Sequence, residues 1–264
     1  MAGKDYKAFI VEGKNREPII INNILKIFFK HSNFKIITLP AEENIYMLWS
    51  KLKDDDFETD VIEVLRERNE KNRALLEELS RDDFAEIYLF FDYDLHQNNL
   101  RKDVTGDVLE QMLQTFDNET EVGKLYISYP MSEALRDYTP RICGIKGKCY
   151  VSIEDMHKYK GESALHSPNS QFEKFTIENW IDIIDVFAMK VSCLFGAKRT
   201  IEYEQYLKEL STFEIYDKER QKSMEKGVFI LSAFPEFLVD YFGSKIWTKC
   251  VKHGKKRLSG IDCD

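Results

Sequence analysis

The hydrophobic positions of the first half fall into short unbroken runs rather than alternating ones. Ala8, Phe9, Ile10 and Val11 run into Glu12 and Gly13. Phe34 to Leu39, interrupted by Lys35 and Thr38, is a second strand candidate, and Lys124 to Ser128 reads as a later strand. The strongest is Ile87, Tyr88, Leu89, Phe90 and Phe91, which leads directly into Asp92, Tyr93 and Asp94. Runs this short, with no polar face, predict parallel strands buried on both sides. Between them the apolar spacing turns helical. Residues 18–29 predict a helix with Pro18 in its first turn, residues 60–79 a long amphipathic helix, and residues 105–116 a further helix. Glu42 and Glu43 are expected in the first turn of the helix after the second strand, where acidic side chains suit the helix dipole. Strands alternating with helices imply a parallel sheet with right-handed crossovers.

The second half reads differently. Residues 139–170 contain Pro140, Gly144, Gly147, Gly161 and Pro168 and look like a junction, with an edge strand at 149–153. Beyond it the pattern is helical. Trp180, Ile181, Ile184, Phe187, Ala188 and Val191 define a core helix over 176–194, residues 200–225 one or two charged helices, and residues 229–243 an apolar helix stopped by Gly243. The expected organisation is an α/β domain over 1–145, with a parallel sheet flanked by helices, followed by a mainly helical C-terminal domain over 146–264.

Composition narrows the class. A chain 43% hydrophobic and 32% charged suits a globular protein. No apolar stretch approaches the ~20 residues needed to span a bilayer, and no signal-type segment opens the chain, so the expected location is cytoplasmic. Five cysteines without a CxxC pair argue for reduced thiols and against a structural zinc site. The net charge of −8 disfavours wholesale attraction to nucleic acid or anionic membrane, while leaving room for a local basic groove. Local basic clusters exist at Arg141, Lys146 and Lys148, and at Lys249, Lys252, His253, Lys255, Lys256 and Arg257. The first reads as a plain basic loop or a guide for a phosphate backbone, and the second by default as a solvated tail, with contact to nucleic acid or an acidic partner as the alternative.

The candidate chemistry lies at strand ends. Glu12, Asp92 with Asp94, and Glu133 all follow predicted strands, and a parallel sheet would bring strand ends far apart in sequence to one edge. Like charges gathered together repel, and a divalent cation with oxygen ligands removes that repulsion. The i, i+2 spacing of Asp92 and Asp94 allows both to share one face. Lys14 is a candidate phosphate contact or a solvated loop lysine. His96 is a candidate acid or ligand, or an ordinary loop histidine. The chain has no P-loop, no dinucleotide-binding glycine motif and no nucleophile elbow.

Glu12 in Phe9-Ile10-Val11-Glu12-Gly13, together with Asp92 and Asp94, resembles the Toprim family, which carries a glutamate after its first strand and a DxD after its third. The resemblance covers about residues 5–140. Many Toprim domains have a glycine beyond the second strand and another soon after DxD. Here those places hold Leu39-Pro40-Ala41-Glu42 and Leu95-His96-Gln97-Asn98. These departures are closer to the OLD-like, abortive-infection Toprim nucleases of bacterial phage defence, in which a Tyr-Pro-Met-x-Glu segment like 129–133 is also familiar. The resemblance implies a Mg2+- or Mn2+-dependent nuclease acting on DNA or RNA. It implies Glu12 as general base or metal ligand, Asp92 and Asp94 as metal ligands, and Glu133 as an extra acidic ligand. It also implies control by a partner ATPase or sensor, with the helical half as a surface for docking or self-association. Competing expectations are a non-catalytic binding module of the same fold and another metal-dependent phosphoryl-transfer enzyme.

Overall fold

The structure is a computed structural model, described here for residues 4–94, 107–138, 149–166, 171–197 and 199–251. Its inter-residue contacts divide the chain into two compact units, Met1–Tyr126 and Ile127–Asp264. The expected domain boundary near residue 145 lies beyond this division, which falls inside a strand.

The first unit is α/β. Strand β1 (Tyr6–Val11) leads through helix α1 (Arg16–Phe28) to β2 (Lys35–Pro40), and helices α2 (Ile45–Asp54), α3 (Val61–Arg68) and α4 (Glu70–Leu75) lead on to β3 (Phe84–Asp92). Helix α5 (Val108–Thr115), the short β4 (Asp117–Asn118) and β5 (Gly123–Ser128) follow. The five strands form a mainly parallel sheet in the order β2-β1-β3-β5-β4, with β4 antiparallel to β5. β1 is fully buried from Lys7 to Val11, and β3 from Ile87 to Phe91, as their unbroken apolar runs require. Phe9, Phe90 and Tyr126 stack across β1, β3 and β5, with centroid separations of 6.0 and 5.5 Å. At the opposite end of the ladder, Lys7 and Glu86 are register partners and form an ion pair of 2.5 Å.

Several elements depart from the sequence expectation. The single helix expected over 60–79 is broken at Asn69, whose backbone is extended. Asp60 caps α3 by accepting from Ile62 and Glu63, and Asn69 caps α4 by accepting from Asn72. The break lets Asn72, fully buried, donate to the Pro40 carbonyl at the end of β2 (3.0 Å). Helical spacing alone does not register this tertiary bond. Glu42 and Glu43 lie ahead of α2 rather than in its first turn, because Asn44 is the N-cap and accepts from Met47. Gly13 does not use a left-handed backbone, since it is absent from the positive-φ glycines. What it supplies is room, because a Cβ there would come within 2.8 Å of Glu17 Oε2.

The second unit is mainly helical. Strand β6 (Tyr150–Val151) pairs antiparallel with β7 (Val228–Phe229) as a separate two-stranded ribbon, so the strand expected at 149–153 does not edge the main sheet. Between them run α6 (Met156–His166), α7 (Ile177–Leu194), α8 (Tyr203–Glu209) and α9 (Thr212–Lys226). After β7 come α10 (Ala233–Phe242) and α11 (Ser244–Cys250). Helix α7 is the core helix, capped by Thr176 and buried at Trp180, Ile184, Phe187 and Val191. Residues 229–232, expected to open the apolar helix, instead supply a strand and the Ser232 cap of α10. Gly243 ends that helix with φ of 62°. No helix among the described residues is long and apolar enough to cross a membrane.

Candidate functional site

The strand order places a switch point between β1 and β3. From β1 the chain crosses to β2 on one side, and then returns past β1 to β3 on the other. In open parallel sheets the crevice for ligands lies outside the carboxyl ends of the strands at such a point. Glu12 and Asp92 stand there, one residue beyond β1 and at the last residue of β3.

Glu12 is fixed by its backbone on both sides. Its N–H donates to the Phe90 carbonyl (3.1 Å), and its carbonyl accepts from Glu42 N–H (2.9 Å). Its side chain turns towards β3, where Oε2 accepts from the Asp92 backbone N–H at 3.1 Å. Glu12, Asp92 and Asp94 are each half-buried, while Tyr93 between the aspartates is buried. The DxD thus keeps an alternating exposure although the strand itself ends at Asp92.

Two more groups join this edge. Tyr46, in the first turn of α2, is raised well above the usual tyrosine pKa, first by burial and then by the nearby charges of Asp94 and Asp107. Asp107 is the N-cap of α5 and accepts from Glu110 N–H (3.1 Å). The sequence reading passed over both residues. The D-x-x-E pattern at 107–110 is a capping signal, and it gives the start of α5 that the 105–116 estimate blurred.

On the β2 side, Glu42 adopts a left-handed backbone (φ 54°) that a non-glycine residue seldom takes. Arg68 holds it there, donating to the carbonyls of Ala41 (3.1 Å) and Glu42 (3.0 Å). Lys14 pairs with Glu42 Oε2 at 3.4 Å, with 65% of its side chain exposed, so little holds that lysine in place. Glu43 pairs with Lys51 and Arg68. Lys51 and Arg68 also line a cleft of about 340 Å3 together with Asp55, Thr59, Val64 and Glu67.

Glu133 belongs to the second unit. It sits in a 3₁₀ turn, Ser132–Asp137, and is 1% exposed. Its carboxylate pairs with Lys160 (3.1 Å) and accepts from the Ser132 hydroxyl (3.3 Å). His96, Arg141, Lys146, Lys148 and the basic residues from Lys252 onward lie outside the described residues.

Among the described residues, no three histidine, cysteine, aspartate or glutamate side chains are gathered as a metal-binding group. The carboxylates the fold does draw to the switch point are oxygen donors, the chemistry that suits hard divalent cations. Comparison with protein-family models, with curated proteins and with solved structures gave no match.

Proposed function

We propose that this chain is a divalent-metal-dependent nuclease of the Toprim kind, cleaving phosphodiester bonds of DNA or RNA as an effector of phage defence. The observation that carries the reading is the meeting of Glu12 and Asp92, far apart in sequence, at the switch point of a parallel sheet. Magnesium is commonly held by one or two carboxylates, with water and substrate phosphate completing its shell, and Glu12 and Asp92 are carboxylates that the sheet edge brings to one place. Of Glu12, Asp92 and Asp94, one or two would hold Mg2+ or Mn2+, which would supply charge stabilisation for the phosphoryl oxygens and acidify a water. Glu12 takes the proton of the attacking water as that oxygen bonds to phosphorus and the ester oxygen leaves. Lys14, exposed and weakly paired, attracts the phosphate backbone.

The defence role and a controlling ATPase or sensor rest on the resemblance of the Glu12 and Asp92–Asp94 motifs. The helical second unit is offered as the docking or self-association surface. A second reading, a binding module that keeps the fold without catalysis, draws on the bond from the Asp92 N–H, which engages the Glu12 carboxylate in the fold itself. Incubating the purified chain with DNA and RNA, with and without Mg2+ or Mn2+, separates the two. Cleavage that needs the cation supports the nuclease. Failure to cut any substrate with either cation overturns it in favour of the binding module.

A further inference from the structure

Successive carbonyls at the end of β2 are held by side chains from α3 and α4. Asn72 donates to Pro40 (3.0 Å), and Arg68 donates to Ala41 (3.1 Å) and Glu42 (3.0 Å). The N–H groups of the same segment are bonded to β1 and the residue after it. Ala41 N–H donates to the Val11 carbonyl (2.8 Å), and Glu42 N–H to the Glu12 carbonyl (2.9 Å). Residues 41 and 42 thus link the Arg68 guanidinium directly to the backbone of Glu12.

Local preference does not hold this link in shape. Glu42 has φ of 54°, a left-handed backbone that disfavours a Cβ. Such a conformation persists where its surroundings over-determine it. Arg68 supplies that constraint, because Nε and Nη2 of one rigid fork reach two consecutive carbonyls at once. The fork is itself anchored. Its Nη1 stands 3.5 Å from Glu43 Oε2, and the Glu43 side chain, 4% exposed, also pairs with Lys51 at 2.9 Å. The arginine charge is therefore shared with a buried carboxylate rather than held out for a substrate.

Glu12 is the residue that gains from this. Its N–H is set by the Phe90 carbonyl and its side chain meets the Asp92 N–H, both on β3, while Glu42 supplies the bond on the β2 side. We propose that Arg68 is a positioning residue for Glu12: by fixing the left-handed turn at 41–42, it sets the backbone from which the Glu12 carboxylate reaches β3. The inference rests on the nuclease reading above, in which Glu12 takes the proton of the attacking water.

The test uses Arg68→Ala, Arg68→Lys and the double variant Arg68→Ala with Glu42→Gly, each in the full chain. Glycine takes a left-handed backbone without a Cβ penalty, so it frees the turn from its need for the arginine. Both single variants should lose about tenfold to a hundredfold in kcat with Mg2+, with KM changed by less than about twofold. Lysine keeps the charge but not the fork, so it should not spare the rate. The double variant should regain part of the lost kcat. Independently of cleavage, hydrogen exchange followed by NMR should quicken at the Glu42 amide in Arg68→Ala, while interior amides of β3 keep their protection. A raised KM at unchanged kcat overturns the inference, because Arg68 would then meet the substrate phosphate. Unchanged kcat beside an active wild-type chain, unchanged exchange at Glu42, or a double variant that regains nothing overturns it too, and each leaves the nuclease reading standing. Lost protection in β3, or failure of both single variants to fold, overturns it because the arginine would then serve the whole sheet. A wild-type chain that cuts neither DNA nor RNA with either Mg2+ or Mn2+ overturns the nuclease reading and this inference with it.

Discussion

The carboxyl edge of the first unit's sheet and the interior of the second unit handle ionisable side chains differently. In the second, charges are buried singly and answered by the fold. Lys190 is fully buried, donates to the Ile230 carbonyl at 2.8 Å, and lies over the rings of Tyr138 and Phe229. Glu133 is answered by Lys160. At the carboxyl edge of the first unit's sheet, acidic residues are left half-open: Glu12 meets the Asp92 backbone, and Asp94 lies two residues further on. A buried charge with one well-placed partner is part of the scaffold, and removing it costs stability. Like charges at the carboxyl edge of a sheet stand there against their own repulsion, and on the nuclease reading proposed above removing one relieves the fold while disabling the site. The physical distinction is whether the substitution moves stability or activity.

The largest effect is expected from Glu12→Gln. The amide keeps an acceptor for the Asp92 N–H and loses the charge and the base, so cleavage should fall by about 10²–10⁴-fold. The thermal midpoint should hold or rise. A large fall in midpoint would erase the contrast between the units. Next is Lys190→Met in the second unit, which keeps an unbranched stem but strips the donor from Ile230. A loss of about 1–3 kcal/mol in urea unfolding is expected, with the cleavage chemistry of the first unit unaffected.

Glu219 sharpens the comparison through pH. It is 1% exposed, and burial raises its carboxyl to about 7 against the opposing bond from Phe229 N–H (3.2 Å). Its second oxygen has no hydrogen-bond partner among the described residues. Because the folded-state value lies above the ordinary one, its favourable contribution is complete below the unfolded value and is lost as pH rises through about 7. Glu219→Gln should flatten the decline in stability between about pH 5 and 8, by up to ~3 kcal/mol at the upper end, measured by chemical denaturation across that range. The smallest stability change belongs to Lys14→Ala, under about 0.5 kcal/mol given its exposed ion pair. If Lys14 meets phosphate, the salt dependence of substrate binding should nevertheless become shallower.

The parts of this fold legible in the sequence are those set by local pattern. The buried runs at β1 and β3 announce themselves, as does the long apolar face of α7. What escaped was set by distant partners. The 60–79 segment keeps its helical spacing across Asn69, and only the bond from Asn72 to Pro40 explains the break. Residues 149–153 look like a strand but carry no sign of pairing with β7, some eighty residues onward. At the site, Glu12 and Asp92 were legible because carboxylates after buried runs stand out. Tyr46 was not, because an aromatic residue in an amphipathic helix looks like core, and six parts in a hundred of exposure say nothing about where its oxygen lies.

The position of β1 has a temporal consequence. It lies between β2 and β3, and its second neighbour begins only at Phe84. During synthesis the N-terminal strand can pair on one side early but must wait for the end of β3 before its other edge is covered. The Glu12–Asp92 bond spans 80 positions and is made by that last closure. A nascent chain cut short before β3 has emerged therefore carries Glu12 and Lys14 without the strand that Glu12 is bonded to. The order in which the ribosome delivers the strands makes the Glu12–Asp92 edge the last part of the β1 environment to form.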